Sequence, residues 1–304
     1  MSQSTRHIRD APRLGISLKT KIDEDVVRLY EIPDYRIADF SCGKIENYSC
    51  YQRTLQGNIY DKKSICLKYT YVFSHVEYIQ MKTILNLEHI NSFEKDFEKI
   101  IYVMRMLHKV LISEGQTAHV PTMRSGYSLL KQRKEEKRQL NCRGCAIVLN
   151  DVLLSIGVPT KFIACMSSDP YDPECHVTNS VYLKGFNKWI YLDVATQSFV
   201  VGENGVPMSV WEIREHLKLG NRLQFMIAPN IQNANLRKHN FENYLIKNMF
   251  CFLSYQKYGP YTDDWKNKNK KYLLLPVNHG NKYSGLNLND YNIEIVHSPE
   301  DFFG

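Results

Sequence analysis

Nowhere in the 304 residues does an apolar run approach the ~20 residues that a membrane-spanning helix needs. The opening stretch, Met1 to Pro12, also lacks an apolar core of signal-peptide length. A cytoplasmic location with no membrane partner is therefore expected. Cysteine is sparse: 8 residues spread over a chain this long cannot build a disulfide scaffold, so reduced thiols are expected. Any cysteine function is then catalytic or metal-binding, or there is none. There is no internal repeat, and no Gly- or Ser-rich linker that would cut the chain in two. No clustered Asp, Asn and Gly loop of the EF-hand kind occurs, and Asp169, Asp172 and Glu174 read as a solvated turn. Charge of one sign is also modest, with 39 Lys and Arg against 32 Asp and Glu, a formal +7. That excess does not imply a nucleic-acid partner, because the densest basic stretch, Lys131 to Arg138, interleaves Glu135 and Glu136 at helical spacing and reads as a solvated helix face. The run from Lys266 to Lys271 reads as a polar loop.

What is present is the composition of an ordinary folded protein, 43% hydrophobic and 23% charged, with 20 Tyr against 3 Trp. Tyrosine suits half-buried strands and interfaces, where the ring packs and the hydroxyl stays wet. Residues 1–25 are polar and basic and are expected to form an arm. Residues 26–90 carry β-branched and aromatic runs, Val26 to Tyr30 and Leu67 to Phe73, between turn-like Gly43 and Gly57, which predicts a mainly β extension of short strands packed on the core.

From Asn91 the pattern turns helical. Phe93, Phe97, Ile100, Ile101, Met104, Leu107 and Leu111 recur at three- and four-residue spacing, which predicts about five turns opened by an Asn91/Glu94 capping box and ended near Gly115. After Pro121 a second helix carries Leu129 and Leu130 toward Leu140. A third follows, with Asn141 as N-cap, Ala146, Leu149, Leu153 and Ile156 on its apolar face, and Gly157 with Pro159 as its stop. Three strands are then expected, Lys161–Cys165, His176–Leu183 and Lys188–Asp193, the last two joined by a turn containing Gly185. Ser209 and Glu212 form a capping box for a helix to Lys218, and the tail from Pro229 holds apolar segments at Tyr244–Leu253 and Tyr272–Leu275. The core is thus expected over 91–228, with 229–304 a C-terminal extension packed on it.

A thiol is a useful nucleophile only if it ionises near neutral pH, and the unpaired N–H groups and dipole of a helix's first turn favour the thiolate. Cys142 has that position. His176 opens a strand that must lie near this helix. If the following hairpin leaves four residues unpaired, residues near 176 and 193 share one face, so Asp193 can hydrogen-bond the imidazole. Cys142, His176 and Asp193 are therefore the candidate nucleophile, base and orienter.

The set Cys142-Arg-x-x-Ala146, Gly157-Val-Pro159 fifteen residues after the cysteine, the strand from His176 to Leu183, and Lys188-Trp-Ile-Tyr-Leu-Asp193 resembles the transglutaminase-like superfamily, the rearranged relatives of papain-type cysteine proteases. The resemblance is clear over residues 90–200. Its spacing selects Cys142 over Cys145 as nucleophile. What it implies is an α+β fold, helices packed on an antiparallel sheet, with a Cys-His-Asp triad. The function implied is acyl transfer from a peptide or small-molecule amide or ester through a thioester, resolved by water or by an amine acceptor. Asn141 and Gln139 are candidates for a second oxyanion donor. No cofactor is expected.

Three other readings compete. One is a zinc site built from Cys142, Cys145, Cys165, Cys175 and His176, which is disfavoured because Cys175 and His176 must point to opposite faces of a strand. A thioredoxin-type dithiol would follow a strand, whereas here a helix precedes it. The last is a non-catalytic binding module on the same scaffold.

Overall fold

The computed structural model describes residues 36–38, 48–62, 67–111, 124–137, 139–172, 174–227, 241–264, 268–279 and 292–304. The arm expected over 1–25, the strand expected at Val26–Tyr30, and the turn residues Gly43, Gly115 and Pro121 lie outside them. The described helices of more than one α-turn are α1 (Tyr48–Gln56), α2 (Val76–Leu85), α3 (Asp96–Val110), α4 (Gly126–Glu136), α5 (Cys142–Ser155), α6 (Val210–Lys218), α7 (Phe241–Lys247) and α8 (Pro299–Phe303). The strands are β1 (Arg36–Ala38), β2 (Thr70–Tyr71), β3 (Thr160–Met166), β4 (Cys175–Leu183), β5 (Lys188–Leu192), β6 (Ser198–Val201), β7 (Gln224–Ile227), β8 (Cys251–Tyr255), β9 (Lys257–Tyr258), β10 (Lys271–Leu274) and β11 (Ile293–Val296).

The main sheet has six strands in the order β11-β10-β8-β3-β4-β5. Its pairs are antiparallel except β10–β11, which run parallel, so the sheet is mixed rather than purely antiparallel as expected. Three of its strands come from the tail after residue 229, which hydrogen-bonds into the sheet through β8 on β3. A second sheet orders β1-β7-β6, and β2 pairs with β9.

Helices cover both faces of the main sheet. On one face Ala146, Leu149, Val152 and Leu153 of α5 meet Phe162, Ala164, Val177 and Val181 of the strands, backed by α2, α3 and α4. On the other, Ile163, Cys165, Tyr191 and Phe252 meet Ile213 and Leu217 of α6, Leu245 of α7 and Phe302 of α8. Burial on both faces explains why β3 is a nearly continuous buried run instead of an alternating one. Each fully covered Leu or Phe contributes about 1.5–3 kcal/mol of transfer free energy.

Lys161 sits in that buried strand. Its Nζ lies 4.2 Å from the ring centres of both Tyr69 and Trp189 and donates to the carbonyls of Phe302 and Phe303 at 3.3 Å. The aromatic faces and the carbonyl end of α8 offset part of the desolvation cost, and burial still pushes its pKa down to about 7.

Two local expectations are corrected. Described residues between 48 and 90 are chiefly helical, in α1 and α2, with only Thr70–Tyr71 as strand in the Leu67–Phe73 run. The aromatic residues there pack by tertiary contact, Tyr69 and Tyr71 against Tyr258, and not as a sheet of their own. Helix α3 starts at Asp96, after a 3-10 turn over Glu88–Ser92, so it is 15 residues long and its N-cap is Lys95 without a side-chain cap; the Asn91/Glu94 box does not form. The other boundaries follow their signals: Asn141 Oδ1 accepts from the N–H of Gly144 at 2.9 Å, Gly157 takes the left-handed φ of 82° that ends α5, and Ser209 with Glu212 caps α6 reciprocally.

Candidate active site

The hairpin β4–β5 pairs Leu183 with Lys188 and Asn179 with Leu192, leaving four residues in the turn as expected. Continuing that register sets Asp193 diagonal to His176, on the same face. His176 Nε2 and Asp193 Oδ2 are 2.7 Å apart, with both side chains buried. The carboxylate is held from three other directions. Tyr191 donates its hydroxyl to Oδ2 at 3.0 Å, and the N–H groups of Ala195 and Thr196 donate to Oδ1 at 2.9 and 3.2 Å.

Cys142 approaches from the opposite side of the sheet. Odd-numbered residues of β4 face α5, as Asn179 shows by donating to the Ala146 carbonyl at 3.0 Å, whereas His176 faces α7. The two side chains can meet because α5 begins level with the first residues of β4. Cys142 Sγ lies 3.9 Å from the Cys175 carbonyl and close enough to the His176 ring for each to shift the other's pKa. Since Asp193 occupies Nε2, Nδ1 is the ring nitrogen left for the thiol.

Charge follows from this packing. Burial works to raise the Cys142 pKa, but the bond and charge of His176, with the Val177 N–H, outweigh it and leave the thiol below its ordinary value. Burial likewise disfavours the His176 cation, yet Asp193 and then Cys142 raise its pKa to about 10. Asp193 resists the upward push of burial and is lowered, chiefly by His176. The three shifts all run in the direction that favours a thiolate–imidazolium–carboxylate arrangement.

The ring of His176 is walled edge-on by Phe241 and Tyr244 at 5.3 and 5.7 Å between centroids. Tyr244 donates its hydroxyl to the Cys175 carbonyl at 2.9 Å, next to Cys142 Sγ. On the other flank, Arg143 and Arg124 each donate to Asp263, at 3.2 and 3.1 Å, and Tyr255 donates its hydroxyl to the same carboxylate.

The remaining expected residues separate from this cluster. Cys145 is fully buried in the helix-side core, with Sγ 3.9 Å from the Leu140 carbonyl, while Cys165 belongs to the opposite core. Among the described residues no group of three His, Cys, Asp or Glu could hold a metal ion. Asn141 is engaged as the α5 cap, and Gln139 is half-buried just before it. The chain turns just after Asp169, with the Tyr171 N–H donating to Asp169, and Lys247 bridges Asp172 and Glu174 at 2.9 and 2.8 Å. Tyr191, Thr196, Phe241 and Asp263 were not foreseen. Tyr191 was findable from strand alternation alone, two residues before Asp193. The others come from loops and a distant helix.

No family profile and no curated protein matches the chain. Two solved structures resemble part of it. One, described as a cysteine protease from Cytophaga hutchinsonii, is 14% identical with a TM-score of 0.31, over 40% of this chain and 40% of that one. The other, described as a TGase, is 13% identical with a TM-score of 0.29, over 39% of this chain and 31% of that one. The chain thus spans well under half of either structure. No helix among the described residues is long and apolar enough to cross a membrane.

Proposed function

We propose that this chain is a cysteine-dependent acyl-transfer enzyme acting on an amide or ester. The observation that carries the proposal is the buried His176, bound at 2.7 Å to Asp193 through one ring nitrogen and close enough to Cys142 that each side chain shifts the other's pKa. The thiolate attacks the carbonyl carbon and the C=O pair moves to oxygen. The first-turn N–H groups of Cys142 and Arg143 face the developing oxyanion, because that of Gly144 is taken by the Asn141 side chain and that of Cys145 by the Asn141 carbonyl. The His176 imidazolium then protonates the leaving amine or alcohol as the C–N or C–O bond breaks, leaving a thioester. Water, deprotonated by the now neutral His176, hydrolyses the thioester; an amine in its place forms a new amide. Asp193 holds the tautomer and offsets the imidazolium charge throughout.

The test is alkylation by iodoacetamide at pH 6 with site mapping. Cys142 should react well ahead of the exposed Cys50, and intact mass should show acyl adducts with activated esters that Cys142→Ala abolishes. Equal labelling of Cys142 and Cys50 favours a non-catalytic binding module on this scaffold.

A further inference from the structure

Cys142 meets β4 at the end that β5 does not cover. The Tyr182 N–H donates to the Pro159 carbonyl at 2.9 Å, so even-numbered residues of β4 turn their backbone groups toward β3 and odd-numbered ones toward β5. Pairing with β5 runs only from Leu183 to Asn179, and past Leu192 the chain leaves for β6 through the Asp193–Ser198 bridge. The Cys175 carbonyl therefore points past the end of β5, to where α5 begins. Two side chains converge on its oxygen. The Tyr244 hydroxyl donates to it at 2.9 Å, and the Cys142 thiol at 3.9 Å.

A carbonyl that holds the S–H proton opposes ionisation, because that bond is lost with the proton and the oxygen then faces the thiolate. A donor already on the oxygen lessens both effects. Tyr244 is such a donor, and several contacts hold it there. Its ring stands edge-on to His176 and nearly parallel to Phe241, at 5.7 and 6.2 Å between centroids. The Asn248 side chain donates to its carbonyl at 2.9 Å. Lys247 lies 5.4 Å from its ring centre and bridges Asp172 and Glu174, which ties α7 to the segment leading into Cys175. The acyl-transfer steps do not use the hydroxyl. We propose that Tyr244 is a positioning residue of this site: its hydroxyl occupies the Cys175 carbonyl, so that the Cys142 proton passes to His176 instead of resting on the strand. The proposal rests on the acyl-transfer reading of Cys142.

The other ionisable groups about the sulfur are His176 and Cys175 of β4, Asp193 after β5, Arg143 of α5 and Cys165 of β3. Glu174 and Lys247 flank the tyrosine. Burial and then the Cys142 charge keep the Tyr244 phenol protonated, so Tyr244→Phe removes a hydrogen-bond donor and no charge, and it keeps the ring against His176.

The experiment follows iodoacetamide alkylation of Cys142 against pH in the full chain, by peptide mapping, for wild type and Tyr244→Phe. The midpoint of the rise reports ionisation of the thiol, and the upper plateau reports access to the sulfur. Loss of one neutral hydrogen bond should move the midpoint up and slow the reaction at pH 6 by about 2- to 10-fold, with the plateau unchanged. Tyr244→Leu, which also removes the ring, should move the midpoint at least as far. Tyr182→Phe, which deletes a hydroxyl at the far end of β4, should leave midpoint and plateau at the wild-type values. Equal midpoints in wild type and Tyr244→Phe overturn the proposal. So does a lowered plateau with an unmoved midpoint, which marks a packing role alone. A wild-type Cys142 that reacts at pH 6 no faster than Cys50 sinks the acyl-transfer reading instead, while the two midpoints still decide the role of Tyr244.

Discussion

Replacing Asp193 by Asn tests the electrostatics of the site with almost no change of shape. The carboxylate accepts from four donors, and two of them, the N–H groups of Ala195 and Thr196, converge on Oδ1. An asparagine must keep its carbonyl oxygen toward those donors, which puts its NH2 where Oδ2 faces His176 Nε2 and the Tyr191 hydroxyl. The amide then donates to Nε2 and the imidazole proton moves to Nδ1, facing the thiol it should deprotonate. A hydrogen bond to a charged group contributes about 1.5–3 kcal/mol, so the thiolate–imidazolium pair should be about 10- to 150-fold less populated. Iodoacetamide alkylation of Cys142 at pH 6 should slow by that factor. In the wild type the rate should rise at a pH below the ordinary thiol value of 9.0, whereas in Asp193→Asn that rise should move up toward it. Stability reports the same coupling. A raised histidine pKa contributes stability that is complete below the unfolded value of 6.5 and is lost as pH rises through about 10. The variant's deficit in thermal melts should therefore be largest below pH 6.5 and shrink toward pH 10. A folded Asp193→Asn protein that alkylates at pH 6 as fast as wild type refutes this account.

Other perturbations probe the scaffold under the site. In Gly126→Ala the new Cβ would stand 2.7 Å from Asp151 Cβ and 3.1 Å from Met81 Cε, so urea unfolding should show a loss of about 1–3 kcal/mol. Burial raises the Asp151 pKa from 3.8 to about 7, so its ionisation removes stability as pH rises through that window. Asp151→Asn should exceed wild type above pH 7 by at least about 1 kcal/mol, with the gap closing as pH falls toward 3.8; an equal gap at both ends contradicts the buried-acid assignment. Cys145→Ala should cost about 1 kcal/mol of core packing in the same urea assay and leave Cys142 alkylation at the wild-type rate.

Local chemistry was legible where one residue's neighbours in the chain decide its conformation. Asn141 capping α5, Gly157 ending it, the four-residue turn of β4–β5 and the capping box at Ser209 depend on contacts within a few residues, and each stands where its signal put it. The strand register then placed His176 and Asp193 on one face, because side chains alternate with period 2. Tertiary structure decided what depends on distant segments. Tyr48–Gln56 is helical though its composition suggests a strand, since its residues pack against α6 and α7. The tail joins the central sheet because β3 offers an unpaired edge that β8 fills. Above all, the level at which α5 starts against β4 brings Cys142 to His176, and a loop 120 residues away in the chain supplies Asp263 to Arg143. Spacing in a sequence constrains position along an element and the face a residue shares. Whether two elements begin at the same height is set by the packing of both cores around the sheet.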